Sequence, residues 1–278
     1  MGARLSLPRL VLTYVLLLVN YAFILVPILW IILASFKTNS AIFTGKVIPL
    51  PGDLTLSSYA DVLQTPSFGT FFRNSVIIAL GVTALTLVVS SLGAYGLSKY
   101  RTRGRRVLLM AILTSQTFPA VLILVPFYTL VLQVHLNDTY LGIMLAQTSG
   151  ALPFCMWTLK SYMDAVPGAL VDASLIDGCS KLGTYLRIVL PTSLPGMAVA
   201  AFYAFTVSWG DYLFVSVISG SDHTATLPIY LYRISSSQTM NWGTIAATTV
   251  LAILPVVIVF AFVQRWLIEG LLAGGVKG

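Results

Sequence analysis

The stretch VDASLIDGCSKLGTYLRIVLP, Val171 to Pro191, decides how the chain is read. It carries charges, an internal glycine and a terminal proline between two long apolar stretches. It is too polar to cross a bilayer and too regular for a slack loop. Pro167, just upstream, suits the first turn of a helix, where its missing N–H costs nothing. The pattern predicts a helix over 168–177, ended by Gly178 in the left-handed conformation. Ser180 then caps a second helix, in which Leu182, Tyr185, Leu186 and Val189 recur at i, i+3, i+4 and i+7 as one apolar stripe. Pro191 closes that helix. A polar unit of this kind needs a surface on which to bury a face. The residues leave two open: the membrane interface, or another protein.

Around this unit the chain is apolar. Of 278 residues, 57% are hydrophobic and 9% charged, against roughly a quarter charged in soluble domains. Apolar runs of about 20 residues match the ~30 Å hydrocarbon core. Six spans are predicted, at 11–34, 72–98, 107–133, 139–160, 195–219 and 243–264, in one transmembrane domain over 1–278. The polar unit falls in a loop, 161–194, between the fourth and fifth. Arg4 and Arg9 precede the first apolar run with no A-x-A cleavage site after it, so this run is expected to stay in the mature protein.

Basic residues orient the spans. With both termini inside, Arg4, Arg9, Lys99, Arg101, Arg103, Arg105, Arg106, Lys160, Lys181, Arg187, Arg265 and Lys277 face the cytoplasm. Lys37, Lys46, Arg73 and Arg233 face out. This bias follows the positive-inside rule, with KYRTRGRR (Lys99–Arg106) as its firmest anchor. It also accounts for the net charge of +7 without nucleic acid. Cys155 and Cys179 lack ligand spacing, and His135 and His223 stand alone, so no metal or disulfide is expected. The outer loops hold a short helix near SSYADVL, a tight turn at 135–138 and a longer loop, Gly220 to Asn241.

The spacing from Asp172 to Pro191 resembles the cytoplasmic loop of permeases from binding-protein-dependent ABC importers. That family's pattern, the EAA motif, is Glu-Ala-Ala, three residues, Gly, nine residues, Ile, one residue, Leu-Pro. Here it reads Asp172-Ala173-Ser174, Gly178, Ile188, Leu190-Pro191, with Asp for Glu and Ser for the second Ala. The resemblance extends over nearly the whole chain. RNSVIIALGVTALTLVVSSLGAYGLSKY, from Arg73, is similar to the family's second span, and LPGMAVAAFYAFTVSWGDYLF, from Leu194, to its fifth. The tail QRWLIEGLLAGGVKG resembles the carbohydrate branch, of the maltose-transporter type. That branch has Trp-Asn-Glu or Trp-Asn-Asp where this chain has Trp209-Gly210-Asp211.

The resemblance implies an all-α integral membrane protein in a prokaryotic cell membrane, with the 168–177 helix as a cytoplasmic coupling helix. Asp172, Ala173, Ser174, Asp177 and Gly178 would dock on an ATPase subunit, with Ile188, Leu190 and Pro191 supporting them. A second homologous permease, two ATPase subunits and an extracytoplasmic sugar-binding protein are the implied partners. ATP and Mg would bind in the ATPase, and no cofactor in this chain. In keeping with that, the sequence has no Walker A motif and none of the hydrolase signatures GxSxG or HExxH.

Asp211 is the acid predicted deep in a span, which marks it for function. It either lines a translocation path or satisfies a contact inside the bundle. Tyr203, Trp209 and Tyr212 lie near it in sequence and are candidates to stack on a sugar. A self-contained secondary transporter or channel is the alternative class. Such proteins use paired interrupted helices and several buried ionisable groups.

Overall fold

The computed structural model describes residues 7–45, 49–100, 103–237 and 240–275. Arg4, Lys46, Arg101 and Lys277, used above for orientation, lie outside them. Among the described residues the chain is helical, and its extended pairing is one isolated bridge, Lys37 with Leu54. Among the described residues, three helices are long and apolar enough to cross a membrane: α1 (Leu7–Ser35), the helix Pro66–Lys99, and the segment Trp242–Trp266 of the last helix. Two bent pairs raise that number to as many as five.

The chain forms two compact units. The first comprises residues 1–66 and 231–254. In it, α1 is followed by α2 (Asn39–Phe43) and α3 (Ser57–Gln64). The α3 helix is the short outer helix expected from SSYADVL. The loop between them is held on the end of α1 by backbone bonds, Thr38 N–H to Asp53 O (2.9 Å) and Thr55 N–H to Phe36 O (2.7 Å). The Ser35 and Tyr59 hydroxyls add a bond of 2.7 Å. Along α1 itself only Ala34 and Ser35 are buried.

The second unit, 67–230 and 255–278, holds α4 (Pro66–Lys99), α5 (Arg105–Ser115), α6 (Ala120–Gln133), α7 (Tyr140–Ala165), α8 (Gly168–Ile176), α9 (Lys181–Thr184), α10 (Leu190–Thr192), α11 (Leu194–Trp209) and α12 (Leu213–Ile218). A further helix, α13 (Leu227–Ser235), begins here, and α14 (Trp242–Gly275) ends here. The core is built from small and medium side chains, including Ala94, Ala151, Cys155, Leu159, Met163, Val189, Ala200 and Ala204. Such residues let helix backbones approach closely, as membrane bundles require. Gly196 of α11 shows how closely: a Cβ there would lie 2.6 Å from the Tyr162 ring.

Three expectations are corrected. The span predicted over 107–133 is two helices, α5 and α6, bent by 101°. Pro119 stands at their junction with ψ 128°, outside the helical region, and its ring cannot donate to the preceding turn. The span over 195–219 stops at Trp209 and restarts at Leu213. The outer stretch from Gly220 to Asn241, read as a loop, contains α13, which buries Leu227, Ile229 and Tyr230. Pro126, Pro153 and Pro255, in contrast, sit inside unbroken helices.

The tight turn at 135–138 is present, with left-handed backbone at His135 (φ 57°) and Asp138 (φ 53°). It puts the Asp138 carboxylate where Thr224 Oγ1–H, Gly220 N–H (3.0 Å) and Ser221 N–H (3.2 Å) donate to it. Burial alone would raise its pKa, but these bonds outweigh burial and hold the carboxyl below the usual carboxylate range. Beside it, the Asn74 amide donates to Asp222 O and Ala225 O (3.1 and 2.9 Å) and accepts from the Tyr140 hydroxyl (2.7 Å). These bonds tie α4 and the start of α7 to the 135–138 turn and the stretch after α12.

Candidate functional site

The polar unit folds almost as its sequence predicts. Pro167 leads into α8 in an extended conformation (ψ 131°). At the other end Cys179 N–H bonds to Ser174 O (3.0 Å) and Gly178 N–H to Leu175 O (3.2 Å). These are the paired bonds of a Schellman stop, with Gly178 left-handed at φ 85°. Ser180 caps α9 by accepting from Gly183 N–H at 3.1 Å.

The apolar stripe of the second helix is only half right. Tyr185 and Val189 are buried, whereas Leu182 and Leu186 are exposed. Residues 185–189 form a π turn, in which Leu190 N–H reaches back to Tyr185 O. Pro191 explains it: a proline ring clashes with the carbonyl four residues back, and the wider turn relieves that clash. The π turn rotates the stripe, and Pro191 lies within the run that leads to α11 rather than closing it.

The resembling residues separate by burial. Ser174 is buried; its Oγ–H donates to Val171 O (2.7 Å), and it shares a 2.8 Å bond with the buried Thr184 hydroxyl. The serine that replaces alanine thus bolts α8 to α9. Ile188 and Leu190 are half-buried. Asp172, Ala173, Asp177, Gly178 and Pro191 are exposed. So is the apolar side chain of Ile176, at 86%.

The unit rests on the end of α4, through contacts that sequence reading did not foresee. Tyr185 O–H donates to Ser91 Oγ (2.7 Å) in a buried contact, and Tyr95 O–H to Lys181 O (3.0 Å). Lys99 Nζ donates to Val166 O (2.6 Å), where the chain leaves α7 for α8. Ser91, Tyr95 and Lys99 are four apart and share one face of α4. One residue back, Ser98 Oγ–H donates to Asp164 Oδ1 (2.7 Å). Lys160 also pairs with Asp164, and Arg105 lies 3.6 Å from it. Burial opposes the Asp164 charge, yet the Lys160 and Ser98 bonds and the two cations keep its pKa below the ordinary value. The i, i+4 spacing of Ser91, Tyr95 and Lys99 is the one signal in the sequence for this anchoring.

The four residues around the 210–212 break do not form one cluster. Gly210 ends α11, and Asp211 Oδ1 accepts from Phe214 N–H (2.9 Å). The carboxylate therefore sits over the first turn of α12, where free N–H groups and the helix dipole favour a negative charge. Trp209 is 6% exposed, stacked on Phe205 (5.6 Å between centroids) and edge-on to Phe72 (5.8 Å), so its faces are occupied by core packing. Tyr212 is 39% exposed. Tyr203, one turn and a half before Trp209, lies elsewhere: its ring packs on Phe154 (4.0 Å) and lines a cavity.

That cavity, about 570 Å³, lies against the α5–α6 bend. Gln116 and Phe118 come from the bend, Ser149 and Gly150 from α7, Tyr203 from α11 and Phe214 from α12. A few polar side chains, Ser115, Gln116, Ser149 and Tyr203, stand among aromatic and aliphatic ones, a lining suited to a molecule with both polar groups and apolar faces. Nothing in the sequence brings Ser149 beside Gln116.

Residues 87–272 match the family described as binding-protein-dependent transport system inner membrane component. The chain is 32% identical to the inner membrane ABC transporter permease protein YcjP of Escherichia coli (strain K12), covering 91% of each. It is 32% identical to the sulfoquinovosyl glycerol transport system permease protein SmoH of Agrobacterium fabrum (94% of this chain, 91% of the relative). It is also 32% identical to the maltodextrin transport system permease protein MdxG of Bacillus subtilis (96% and 95%). In fold it is similar to a chain of a bacterial ABC transporter involved in the import of the acidic polysaccharide alginate, with TM-score 0.84, 24% identity and coverage of 95% and 99%.

Proposed function

Since the chain belongs to the family of inner membrane components of binding-protein-dependent transport systems, we propose that it is one permease half of a carbohydrate importer, with α8 as its coupling helix. The relatives named for sulfoquinovosyl glycerol and maltodextrin transport support a sugar as cargo. The observation that carries the coupling role is the division within the polar unit. Ser174, Thr184, Tyr185 and Val189 are buried and bonded, while Asp172, Asp177, Gly178 and Ile176 project from a rigid base. A surface helix with a bare isoleucine at its tip and two carboxylates beside it is built to meet a partner. From Pro167 to Gly178 it has no lysine or arginine, which an interfacial membrane helix would need.

In this reading six spans cross the membrane: α1, α4, the bent pair α5–α6, α7, α11 with α12, and α14, both termini being cytoplasmic. The partners are a second homologous permease, two ATPase subunits that bind ATP and Mg, and an extracytoplasmic sugar-binding protein. The bare apolar length of α1 suits a helix that packs on the partner permease or on lipid. Closure of the ATPase dimer on ATP draws the two coupling helices together. The Ser174–Thr184 and Tyr185–Ser91 bonds pass that movement to α4, and the permease pair exchanges its inward-facing for its outward-facing state. ATP drives the exchange through its differential affinity for the closed dimer. The cavity at Gln116, Ser149 and Tyr203 forms this half's share of the sugar path.

Two measurements test the proposal. Cysteines at Ser57 and Ser236 are expected to react with an impermeant thiol label added outside intact cells, and one at Thr102 (outside the described residues) only after permeabilisation. External labelling at Thr102 would reverse the topology. Reconstituted into vesicles with its partners, the complex is expected to take up sugar only with ATP. Uptake by this chain alone on an ion gradient would favour the secondary-transporter class instead.

A further inference from the structure

A second cavity, of about 430 Å³, shares no lining residue with the coupling helix or the sugar path. Leu92, Gly93, Gly96 and Leu97 of α4 form one wall, Leu108 and Ile112 of α5 another, and Met156 of α7 the floor. Arg103, Gly104 and Arg105 stand at its mouth. Below the arginines the lining is aliphatic throughout. From Arg105 to Ile112 the groove follows α5 for about 10 Å, seven residues at 1.5 Å each. Gly96 keeps the α4 wall low: a Cβ there would meet nothing within 4 Å.

The mouth is suited to an anion. Arg103 is exposed and has no ion-pair partner among the described residues, and Arg105 is only loosely held by Asp164 at 3.6 Å. Gly104 (φ 81°) turns the chain into α5, whose first turn has no capping side chain. The start of α5, where the helix dipole is positive, thus lies beside Arg103 and Arg105 in the lining. An anionic group is needed above, and a flexible hydrocarbon chain below.

We propose that this groove binds an anionic phospholipid of the cytoplasmic leaflet, its phosphate at Arg103, Arg105 and the start of α5, one acyl chain between α4 and α5. The level of the groove follows from the orientation proposed above, since KYRTRGRR marks the cytoplasmic boundary. The lining excludes a free phosphate as the natural occupant, because such an ion would leave the aliphatic trough uncovered. The occupant is a lipid rather than a protein segment because the trough opens along helices that lie at bilayer depth. A basic mouth over an apolar cleft between spans is also the arrangement that selects acidic headgroups.

The test is lipid retention by the intact purified complex. The complex is extracted from membranes containing phosphatidylglycerol and phosphatidylcholine, and the phospholipid that survives delipidation is quantified by native mass spectrometry. Phosphatidylglycerol is expected to be retained over phosphatidylcholine. Arg103→Gln is expected to lower that retention about fivefold, in line with the contribution of one basic residue near an anionic surface. Gly96→Leu, which fills the trough, is expected to lower it at least as much. Arg103 is exposed, so its replacement tests the headgroup contact without threatening the fold. Equal retention of the two lipids, or unchanged phosphatidylglycerol in both variants, would overturn the proposal. Loss in Arg103→Gln alone would reduce the site to surface attraction and overturn the groove. Displacement of the lipid by millimolar inorganic phosphate would also overturn it, by making the site one for free anions.

Discussion

Gly178→Asp is expected to leave the permease inserted and folded, yet to strip it of its ATPase and abolish sugar uptake. Two effects combine. The backbone at 178 is left-handed, with φ 85°, and a residue with a Cβ loses ~1 kcal/mol or more there. Within the chain itself the added Cβ meets nothing within 4 Å, so steric cost arises only against a docked partner. In a close-packed interface that cost is ~1–3 kcal/mol. Since ~1.4 kcal/mol is tenfold in affinity, docking falls by one to several orders of magnitude. Asp172→Ala is expected to act in the same direction and more mildly, because it removes a charge without adding bulk. ATPase co-purification, uptake and membrane insertion are measured side by side. Full ATPase retention and uptake by Gly178→Asp would remove the coupling role from this loop.

Asp211→Leu is expected to impair uptake severely, and the reason can be separated by Asp211→Asn. The carboxylate accepts from Phe214 N–H across a break in the chain. Leucine leaves that N–H and the α12 dipole uncompensated, a loss of ~0.5–2 kcal/mol for a capping contact in water and more where water is scarce. Asparagine keeps an acceptor oxygen at the same reach. If Asp211 works by capping α12, Asp211→Asn retains an assembled complex and most of the uptake, whereas Asp211→Leu loses thermal stability along with transport. If the charge itself meets the cargo, both variants assemble normally and both fail in transport. Normal uptake by Asp211→Leu would exclude either role.

The parts of this protein legible in its sequence are those fixed by local rules. Among the described residues, the three long helices α1, α4 and α14 follow from apolar length. The α8 helix and its stop follow from Pro167, Gly178 and Ser180, each acting on its immediate neighbours. The family pattern is legible because its spacing from Asp172 to Pro191 is unbroken. What escaped is set by tertiary contact. The stripe at Leu182, Tyr185, Leu186 and Val189 assumes 3.6 residues per turn, and the π turn forced by Pro191 changes that count. The helix α13, LPIYLYRIS, escapes because nine residues are too few for a span and polar stretches flank it on both sides. The seat of the coupling unit on Ser91, Tyr95 and Lys99 joins residues 67 to 94 positions apart, so their i, i+4 spacing marks a shared face of α4 but not what that face meets. Aromatic residues near Asp211 looked equivalent in sequence; packing separates Trp209, buried between two rings, from Tyr203 on a cavity wall.

The central claim is that α8 is the handle by which an ATPase moves this permease. A photo-crosslinking amino acid placed at Ile176, the most exposed apolar side chain of α8, tests it directly in native membranes. The account predicts one dominant adduct, with a cytoplasmic ATP-binding subunit, that changes in yield when ATP is supplied and when hydrolysis is blocked. Adducts with lipid alone, or with no ATP-binding protein, would contradict it.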